Sequence, residues 1–192
     1  MAHNIDPKQG MPYFIKPSIN LSPEDKHKAY QEIQRGLAAI LEGETNRTLK
    51  MASINCLVKT HLPYAYWAGF YCVENGVKNG IENRQLTVGP YQGTLGCLHI
   101  DFGKGVCGAV AQSGQTKIVG EVHLLAEGED HITCDPNSQS EIVVPVFDEK
   151  GDLIAVFDLD SSKKYSFDEI DQQYLEEIME TFFGAKQNHP RQ

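Results

Sequence analysis

Residues 141–160 have the sequence EIVVPVFDEKGDLIAVFDLD, which predicts two strands joined by a tight turn. β-Branched and aromatic side chains dominate 141–147 and 153–159, as is typical of strands. The residues DEKG at 148–151 lie between them and have the composition of a hairpin turn. Because a hairpin joins antiparallel neighbours, this stretch predicts an antiparallel pair within a sheet.

A second hairpin is predicted nearer the N-terminus. Residues 64–73 are aromatic and apolar and indicate a strand. The Asn-Gly pairs at 75–76 and 79–80 are typical of turns, so the strand is expected to turn back and pair with 85–88. Short extended segments are also predicted at 95–100 and 117–119.

Helix signals flank the predicted strands. Ser22 to Asp25 combine a capping serine, a proline in the first turn and two acids, which predicts the start of a helix. A second helix is predicted over about 46–60, a short one over 106–113, and a last one from a cap at 166–169 to Phe183. The apolar face of the second helix is expected to comprise Leu49, Ala52, Ile54, Cys56 and Leu57.

The predicted order, α-α-β-β-β-α-β-β-β-α, indicates an α/β (α+β) domain at 21–184. Its core is expected to be a mostly antiparallel central sheet of about six strands, with helices packed on one face. The flanking segments 1–20 and 185–192 are predicted to be tails. The loop at 120–140 is long for a compact domain and is expected to be functional.

The bulk composition excludes several classes of function. The net charge of -9 argues against nucleic-acid binding, and no apolar stretch approaches the roughly 18 residues of a membrane helix. The N-terminus lacks the pattern of a secretory signal, so the cytoplasm is the expected compartment. The odd count of five cysteines argues against a secreted disulfide framework, and no C-x2-C or H-x3-H spacing indicates a metal site.

Three cysteines have a glycine or an aspartate beside them and are therefore expected on or near turns: Cys97, Cys107 and Cys134. Turns lie at surfaces and clefts, where a thiolate can meet a substrate. The residues GKG before Cys107 predict a position near a helix N-terminus, which is expected to lower the pKa of its thiol. Cys56 and Cys72 fit a helix face and a strand and are expected to be core residues.

Acidic and aromatic side chains complete the candidate site. Asp158 and Asp160 alternate along one strand and share a face, and Glu141 begins the neighbouring strand. Crowded carboxylates are expected to raise the pKa of at least one member, which can then donate a proton at neutral pH. Trp67 and Tyr71 are four residues apart on a strand, so they also share a face and can form an aromatic wall for a thioether.

Several motifs together resemble the free methionine-(R)-sulfoxide reductases, which are single GAF-domain enzymes. They are YWAGFY (66–71), VGPYQG (88–93), C-x9-C (97 and 107), GKGVCG (103–108), CDPNSQSEIVVP (134–145) and FDLDS (157–161). The likeness covers roughly residues 22–183 and implies a GAF fold. It also implies reduction of free methionine-(R)-sulfoxide through a sulfenic acid and a disulfide, with no bound cofactor. Thioredoxin, with NADPH and thioredoxin reductase, would be the external reductant, and a homodimer would be the assembly.

The resemblance also implies roles for the thiols. Cys134 would attack the sulfoxide sulfur, and Cys107 and Cys97 would be the resolving and relay thiols. The expected low pKa of Cys107 leaves the reverse assignment open, with Cys107 as the attacker. His131 lies near Cys134 in the sequence and is a candidate to tune it.

The acids and aromatic residues receive roles from the same likeness. Glu141 and Asp160 would be catalytic and, with Asp158, would also bind the substrate. Trp67 and Tyr71 would form the aromatic pocket. A GAF-domain redox sensor or small-molecule sensor without turnover is the alternative function, and a sensor whose disulfide only reports oxidant would need neither the acids nor a substrate pocket.

Overall fold

The computed structural model describes residues 18–78, 81–124 and 135–184. Within these ranges the chain forms four helices, namely α1 (Pro23–Ile40), α2 (Arg47–His61), α3 (Gly105–Ser113) and α4 (Glu169–Phe183). It also forms six strands, namely β1 (Trp67–Lys78), β2 (Ile81–Gln92), β3 (His99–Asp101), β4 (Lys117–Val119), β5 (Ser140–Phe147) and β6 (Leu153–Ser161). A single 3₁₀ turn at Val122–Leu124 follows β4.

The six strands of the described chain form one sheet in the order β3-β2-β1-β6-β5-β4. Every neighbouring pair is antiparallel. The hairpin predicted from residues 141–160 is formed by β5 and β6, with Ser140 opposite Ser161 and Phe147 opposite Leu153. The predicted α/β (α+β) class with a mostly antiparallel sheet of about six strands is therefore confirmed.

The helix starts follow from their capping residues. The Ser22 side chain accepts a hydrogen bond from the backbone N–H of Asp25, and Pro23 occupies the first turn of α1. Asp168 caps α4 by accepting from the N–H groups of Ile170 and Asp171, and the Asp171 side chain accepts from the Asp168 N–H in return. These bonds satisfy backbone donors that have no partner within the helix, so both predicted helix starts are confirmed.

Alternation of side chains along the strands separates two apolar layers. Phe70, Ile142 and Phe157 point to the face covered by α1, α2 and α4. Tyr71 and Val156 point to the opposite face, which is covered by α3. The expectation that all helices pack on one face is therefore wrong for α3. Its short apolar sequence packs across β3, β5 and β6 on the other side, and this placement forms one wall of the candidate site.

The predicted turn at 75–76 is also wrong. Asn75 pairs with Arg84 and Gly76 with Asn83, so β1 continues through this Asn-Gly pair to Lys78. Pairing with β2 along a twelve-residue strand outweighs the local turn preference. The other Asn-Gly pair, at 79–80, lies outside the described residues, as do the predicted tail segments 1–17 and 185–192. Of the strand predicted at 95–100, only its end is extended, in β3.

Helix α2 is rotated relative to the predicted apolar face. It buries Ile54 as expected, but Leu49, Ala52 and Cys56 are exposed. Asn55 is buried instead, and its side-chain amide donates to the backbone oxygen of Pro90 at 2.6 Å. The expectation that Cys56 is a core residue is therefore wrong. Cys72 does pack against the core, with its Sγ 3.8 Å from the Met51 sulfur.

Candidate active site

Three carboxyl side chains meet on the α3 face of the sheet. Glu141 on β5 lies directly opposite Asp160 on β6, and Asp158 is two residues away on the same strand. One oxygen from each of the three lies within 4.8 Å of the others. Leu159, between the two aspartates, points to the opposite face and is fully buried. The prediction that Asp158 and Asp160 share a face is confirmed.

Burial raises the pKa of every member of this cluster, and the charges of neighbouring carboxylates raise it further. Burial and then the charge of Asp160 raise the pKa of Glu141 to about 8. Burial raises the pKa of Asp160 to about 7, although Ser138 donates a hydrogen bond to its carboxylate. Burial and the charges of its two neighbours hold the pKa of Asp158 well above its usual range. The cluster therefore retains bound protons at neutral pH, as the sequence predicted.

Cys107 lies against the acid cluster. It is in the first turn of α3, as predicted, and only 5% of its surface is exposed. Its Sγ donates to Oδ2 of Asp158 at 3.3 Å. Burial, followed by the charges of Asp158 and Glu141, raises the pKa of the Cys107 thiol well above its usual value. The expectation of a lowered pKa is wrong, because nearby carboxyls from β5 and β6 and the loss of water outweigh the helix N-terminus.

The two other thiols predicted for the site are Cys97 and Cys134. Cys97 is disulfide-bonded, whereas Cys107 is a free thiol. Cys134 lies outside the described residues, and so does His131, the residue suggested to tune it. The assigned roles of Cys134 and His131 therefore stay predictions.

An aromatic stack on β1 and β2 forms a wall beside the acids, since Trp67 lies directly opposite Asp160 on the neighbouring strand. The rings of Trp67 and Tyr71 stack with centroids 5.7 Å apart, so the prediction that they share a face is confirmed. Tyr91 on β2 stacks on the other side of Trp67, with centroids 5.6 Å apart. The Trp67 indole N–H donates to the backbone oxygen of Thr94 at 3.0 Å, which fixes the plane of the ring.

The three acids, Cys107 and the Trp67–Tyr71 pair line one pocket. Its lining also has apolar residues, which include Ile100, Val106 and Val122. Six residues predicted from the sequence contribute to it: Trp67, Tyr71, Cys107, Glu141, Asp158 and Asp160. Asp158 is buried, and its Oδ1 has no hydrogen-bond partner within the described part of the chain. A buried carboxyl oxygen without a partner is costly, and a ligand cation or donor entering the pocket would satisfy it.

Four polar residues of this region were missed by the sequence analysis. Asp135, Ser138 and Lys104 line the pocket. Ser138 Oγ donates to Oδ1 of Asp160 at 2.5 Å, and Thr94 Oγ1 donates to Oδ2 of Asp135 at 2.6 Å. The run CDPNSQS was a signal for the first two, because an Asp-Pro-Asn turn before a strand brings its polar side chains to the strand end.

The arrangement can hold a cation. Glu141, Asp158 and Asp160 offer only oxygen ligands, the kind preferred by Mg²⁺ and Ca²⁺. The same oxygens suit an ammonium group, which donates three hydrogen bonds and needs no fixed coordination geometry. None of the three carboxylates is ion-paired with another residue of the described chain. The site thus combines carboxyl groups that can donate a proton or bind a cation, a thiol and an aromatic wall.

No helix within the described ranges is both long enough and apolar enough to cross a membrane.

The chain is similar to proteins of several organisms. Protein YtsP of Bacillus subtilis is 40% identical to this chain over 161 residues, which cover 84% of this chain and 93% of that protein. A free methionine-R-sulfoxide reductase of Escherichia coli is 33% identical over 155 residues, which cover 81% of this chain and 87% of the relative.

A solved structure is similar to this chain in both sequence and fold. The X-ray structure of free methionine-R-sulfoxide reductase from Neisseria meningitidis in complex with its substrate is 32% identical, with a TM-score of 0.71. The match covers 88% of this chain and 93% of that chain. The family model of the GAF domain matches residues 69–182, which include most of β1, all of β2 to β6 and most of α4. This chain therefore belongs to the GAF-domain family.

Proposed function

We propose that this protein reduces free L-methionine (R)-S-oxide to L-methionine. The observation that carries the proposal is the cluster of Glu141, Asp158 and Asp160, which lines one pocket together with the Trp67 and Tyr71 rings. Free methionine sulfoxide has the matching chemistry, since it combines an ammonium group, a polar S–O group and an apolar methyl thioether skeleton. Relatives named free methionine-R-sulfoxide reductase, at 32–33% identity over about four-fifths of the chain, support the same assignment.

The reaction needs a nucleophile and a proton donor. The thiolate of Cys134 attacks the sulfoxide sulfur, and the oxygen passes to the cysteine, which becomes a sulfenic acid. The substrate sulfur gains two electrons, and methionine is released. A protonated carboxyl of Glu141 or Asp160 donates to the sulfoxide oxygen as the S–O bond breaks. Their pKa values, about 8 and about 7, keep a proton available at neutral pH.

Cys134 suits the role of attacker better than Cys107. The thiolate is the reactive form, and the raised pKa of Cys107 keeps that thiol protonated at neutral pH. This position fits a thiol that acts after the first step. It can attack the sulfenic acid once its proton passes to Asp158, its hydrogen-bond partner.

Substrate selection follows from the acids and the rings. Asp158 Oδ1, buried and without a partner in the described residues, is placed to accept from the substrate ammonium. A methionine within a peptide has no ammonium to offer, so the acids would remain unsatisfied and binding would weaken. The stacked rings of Trp67 and Tyr71 would contact the methyl group and the sulfur.

Recycling uses the remaining thiols. The chain has five cysteines, of which Cys56, Cys72 and Cys107 are free and Cys97 is disulfide-bonded. We propose that Cys134 and Cys97 form the disulfide that closes the cycle. That pairing is the end state of a cycle in which Cys97 attacks the sulfenic acid directly. It is also the end state of a relay in which Cys107 does so first and is then displaced.

An external dithiol would complete the cycle by thiol–disulfide exchange, and we propose thioredoxin, reduced by NADPH and thioredoxin reductase, for that role. The protein itself would need no bound cofactor. We further expect a cytoplasmic homodimer, which sedimentation of the reduced protein would test.

The first experiment measures turnover of free methionine-(R)-sulfoxide beside the S epimer, with a thioredoxin system oxidising NADPH. Cys97→Ser, Cys107→Ser and Cys134→Ser are assayed in parallel for methionine release in a single turnover. We expect turnover of the R epimer only, with Cys134→Ser unable to release methionine. Release by Cys134→Ser and none by Cys107→Ser would reverse the nucleophile assignment.

The same assay distinguishes the enzyme from the sensor alternative. A GAF-domain sensor would bind methionine sulfoxide without turnover, or would form its disulfide with peroxide while ignoring the sulfoxide. Absence of turnover in folded, reduced wild-type protein would overturn the enzyme proposal in favour of such a sensor.

A further inference from the structure

Two segments that carry the redox thiols are joined by a part-buried side-chain hydrogen bond. Thr94 Oγ1 donates to Oδ2 of Asp135 at 2.6 Å across 41 residues of sequence. Thr94 is three residues before Cys97, and Asp135 directly follows Cys134. Only 8% of the Thr94 surface is exposed, so water competes poorly for this bond. We refer to Thr94 and Asp135 as the clasp.

The Thr94 side of the clasp is fixed by the aromatic wall. The Thr94 carbonyl accepts the Trp67 indole N–H at 3.0 Å. The flanking glycines lie directly on the rings, since a Cβ at Gly93 would be 2.7 Å from Trp67 Cδ1 and one at Gly96 would be 2.7 Å from the Tyr71 hydroxyl. The segment that leads to Cys97 therefore has little freedom to move away from the pocket.

The Asp135 side is fixed by a turn. Its second oxygen, Oδ1, accepts from the backbone N–H of Asn137 at 2.8 Å and from the Asn137 side-chain amide at 2.7 Å. Ser138, the next residue, donates to Asp160 in the acid cluster. Both carboxylate oxygens of Asp135 thus accept hydrogen bonds from the protein, which suits this residue to holding the two segments in place.

We propose that the clasp positions Cys97 and Cys134 for disulfide formation, so that Thr94 and Asp135 act as positioning residues for the second chemical step. In that step the Cys97 sulfur attacks the sulfur of the Cys134 sulfenic acid. The S–O bond breaks as the S–S bond forms, and the hydroxyl group leaves with the thiol proton as water. Holding the two segments together raises the effective concentration of one sulfur at the other. This inference rests on the cysteine roles of the proposed function.

The test separates the two chemical steps in single-turnover experiments with reduced protein. Thr94→Val removes the hydroxyl and keeps the side-chain shape and the carbonyl that holds Trp67. We expect it to release methionine within about twofold of the wild-type rate and to form the Cys97–Cys134 disulfide about tenfold more slowly. The disulfide is followed by alkylation of the remaining thiols and mass spectrometry.

Asp135→Asn and the double variant sharpen the assignment. Asn keeps the size of the side chain but is a weaker acceptor, so the disulfide step should again slow. If the two residues act through their mutual bond, the double variant will be no slower than the slower single variant. Thr87→Val is the matched control, because Thr87 lies on β2 and also donates to a carboxylate, Glu74, away from the pocket.

Hydrogen peroxide makes the clasp test independent of the substrate assignment. Peroxide converts the Cys134 thiolate to the same sulfenic acid with release of water. If the wild type forms the disulfide with peroxide but releases no methionine from the sulfoxide, the proposed function fails and the clasp is still tested. Equal disulfide rates in wild type and Thr94→Val, or equal slowing of both chemical steps, would overturn the clasp proposal.

Discussion

Two buried aspartates on opposite sides of the sheet have very different surroundings. Asp171, at the start of α4, is fully buried and accepts from Lys26 Nζ at 2.5 Å, from the Tyr30 and Tyr64 hydroxyls at 2.8 and 2.5 Å, and from the Asp168 N–H at 2.9 Å. Asp158 is almost as buried but has one described donor, the Cys107 thiol, and its Oδ1 has no partner.

This contrast distinguishes a buried charge that stabilises the fold from one that is available to a ligand. Asp171 has a cation and three further donors, which partly offset the desolvation that raises its pKa, and it ties α1 to α4. Asp158 has two acidic neighbours in place of a cation, and the fold alone does not compensate it. A polar group that the fold leaves unsatisfied in a pocket is one that a ligand can satisfy. The following predictions test this distinction.

The largest effect is expected from Lys26→Met. It removes the cation and leaves Asp171 as an uncompensated buried charge, so the free energy of unfolding should fall by about 3–5 kcal/mol. Lys28→Met is the matched control on α1, where Lys28 is exposed and pairs with Glu24, and it should cost about 0.5 kcal/mol or less. Urea unfolding followed by circular dichroism measures both. Similar losses for the two variants would show that Asp171 does not depend on Lys26.

Asp158→Asn should have the opposite pattern. Replacing a carboxyl that the fold leaves unpaired with a neutral amide should leave stability at pH 7 unchanged or slightly increased. Turnover of methionine-(R)-sulfoxide should fall by about 100-fold or more, because the ammonium loses its buried partner. Asp171→Asn is the comparison, with stability lost and turnover per folded molecule retained. A destabilised but active Asp158→Asn variant would contradict the distinction between the two aspartates.

The pH dependence of stability gives a third test. The folded pKa of Glu141, about 8, lies above its ordinary value of 4.5. Between these pH values the folded protein therefore binds more protons than the unfolded chain, and stability falls as the pH rises, with a slope of up to about 1.4 kcal/mol per pH unit. Glu141→Gln should flatten the slope between pH 5 and 8. Glu121→Gln should leave the slope there unchanged, because Lys164 lowers the pKa of Glu121. An unaltered slope in Glu141→Gln would show that Glu141 titrates normally.

Local sequence signals were sufficient for most of the fold. The caps at Ser22 and Asp168 and the turn at 148–151 act over a few residues, and strand alternation alone placed Asp158 and Asp160 on one face. These signals are strong because the interactions that produce them connect residues close in sequence.

The features that the sequence analysis missed depend on distant contacts. The pKa of Cys107 is raised first by burial and then by Asp158, which is 51 residues away, and together these outweigh the helix N-terminus that the local sequence indicated. Lys26 is a charged residue whose burial requires Asp171, which is 145 residues away. Asn55 is buried where Cys56 was expected, and its side-chain amide donates to Pro90 on another element. None of these partners can be identified from a local pattern.

The smallest effect is expected from a substitution at Gly96. It tests whether the Trp67–Tyr71 wall contacts the substrate beside the unsatisfied Asp158. Gly96 is outside the left-handed backbone region, so Gly96→Ala acts through its Cβ, which would lie 2.7 Å from the Tyr71 hydroxyl and 3.3 Å from Trp67 Cζ2. The rings must shift, and KM for methionine-(R)-sulfoxide should rise about fivefold to tenfold with stability nearly retained. Gly36→Ala in α1 is the control, because its Cβ meets only the flexible end of Leu57. If KM does not change, the Trp67–Tyr71 wall does not contact the substrate, and the acid cluster alone selects it.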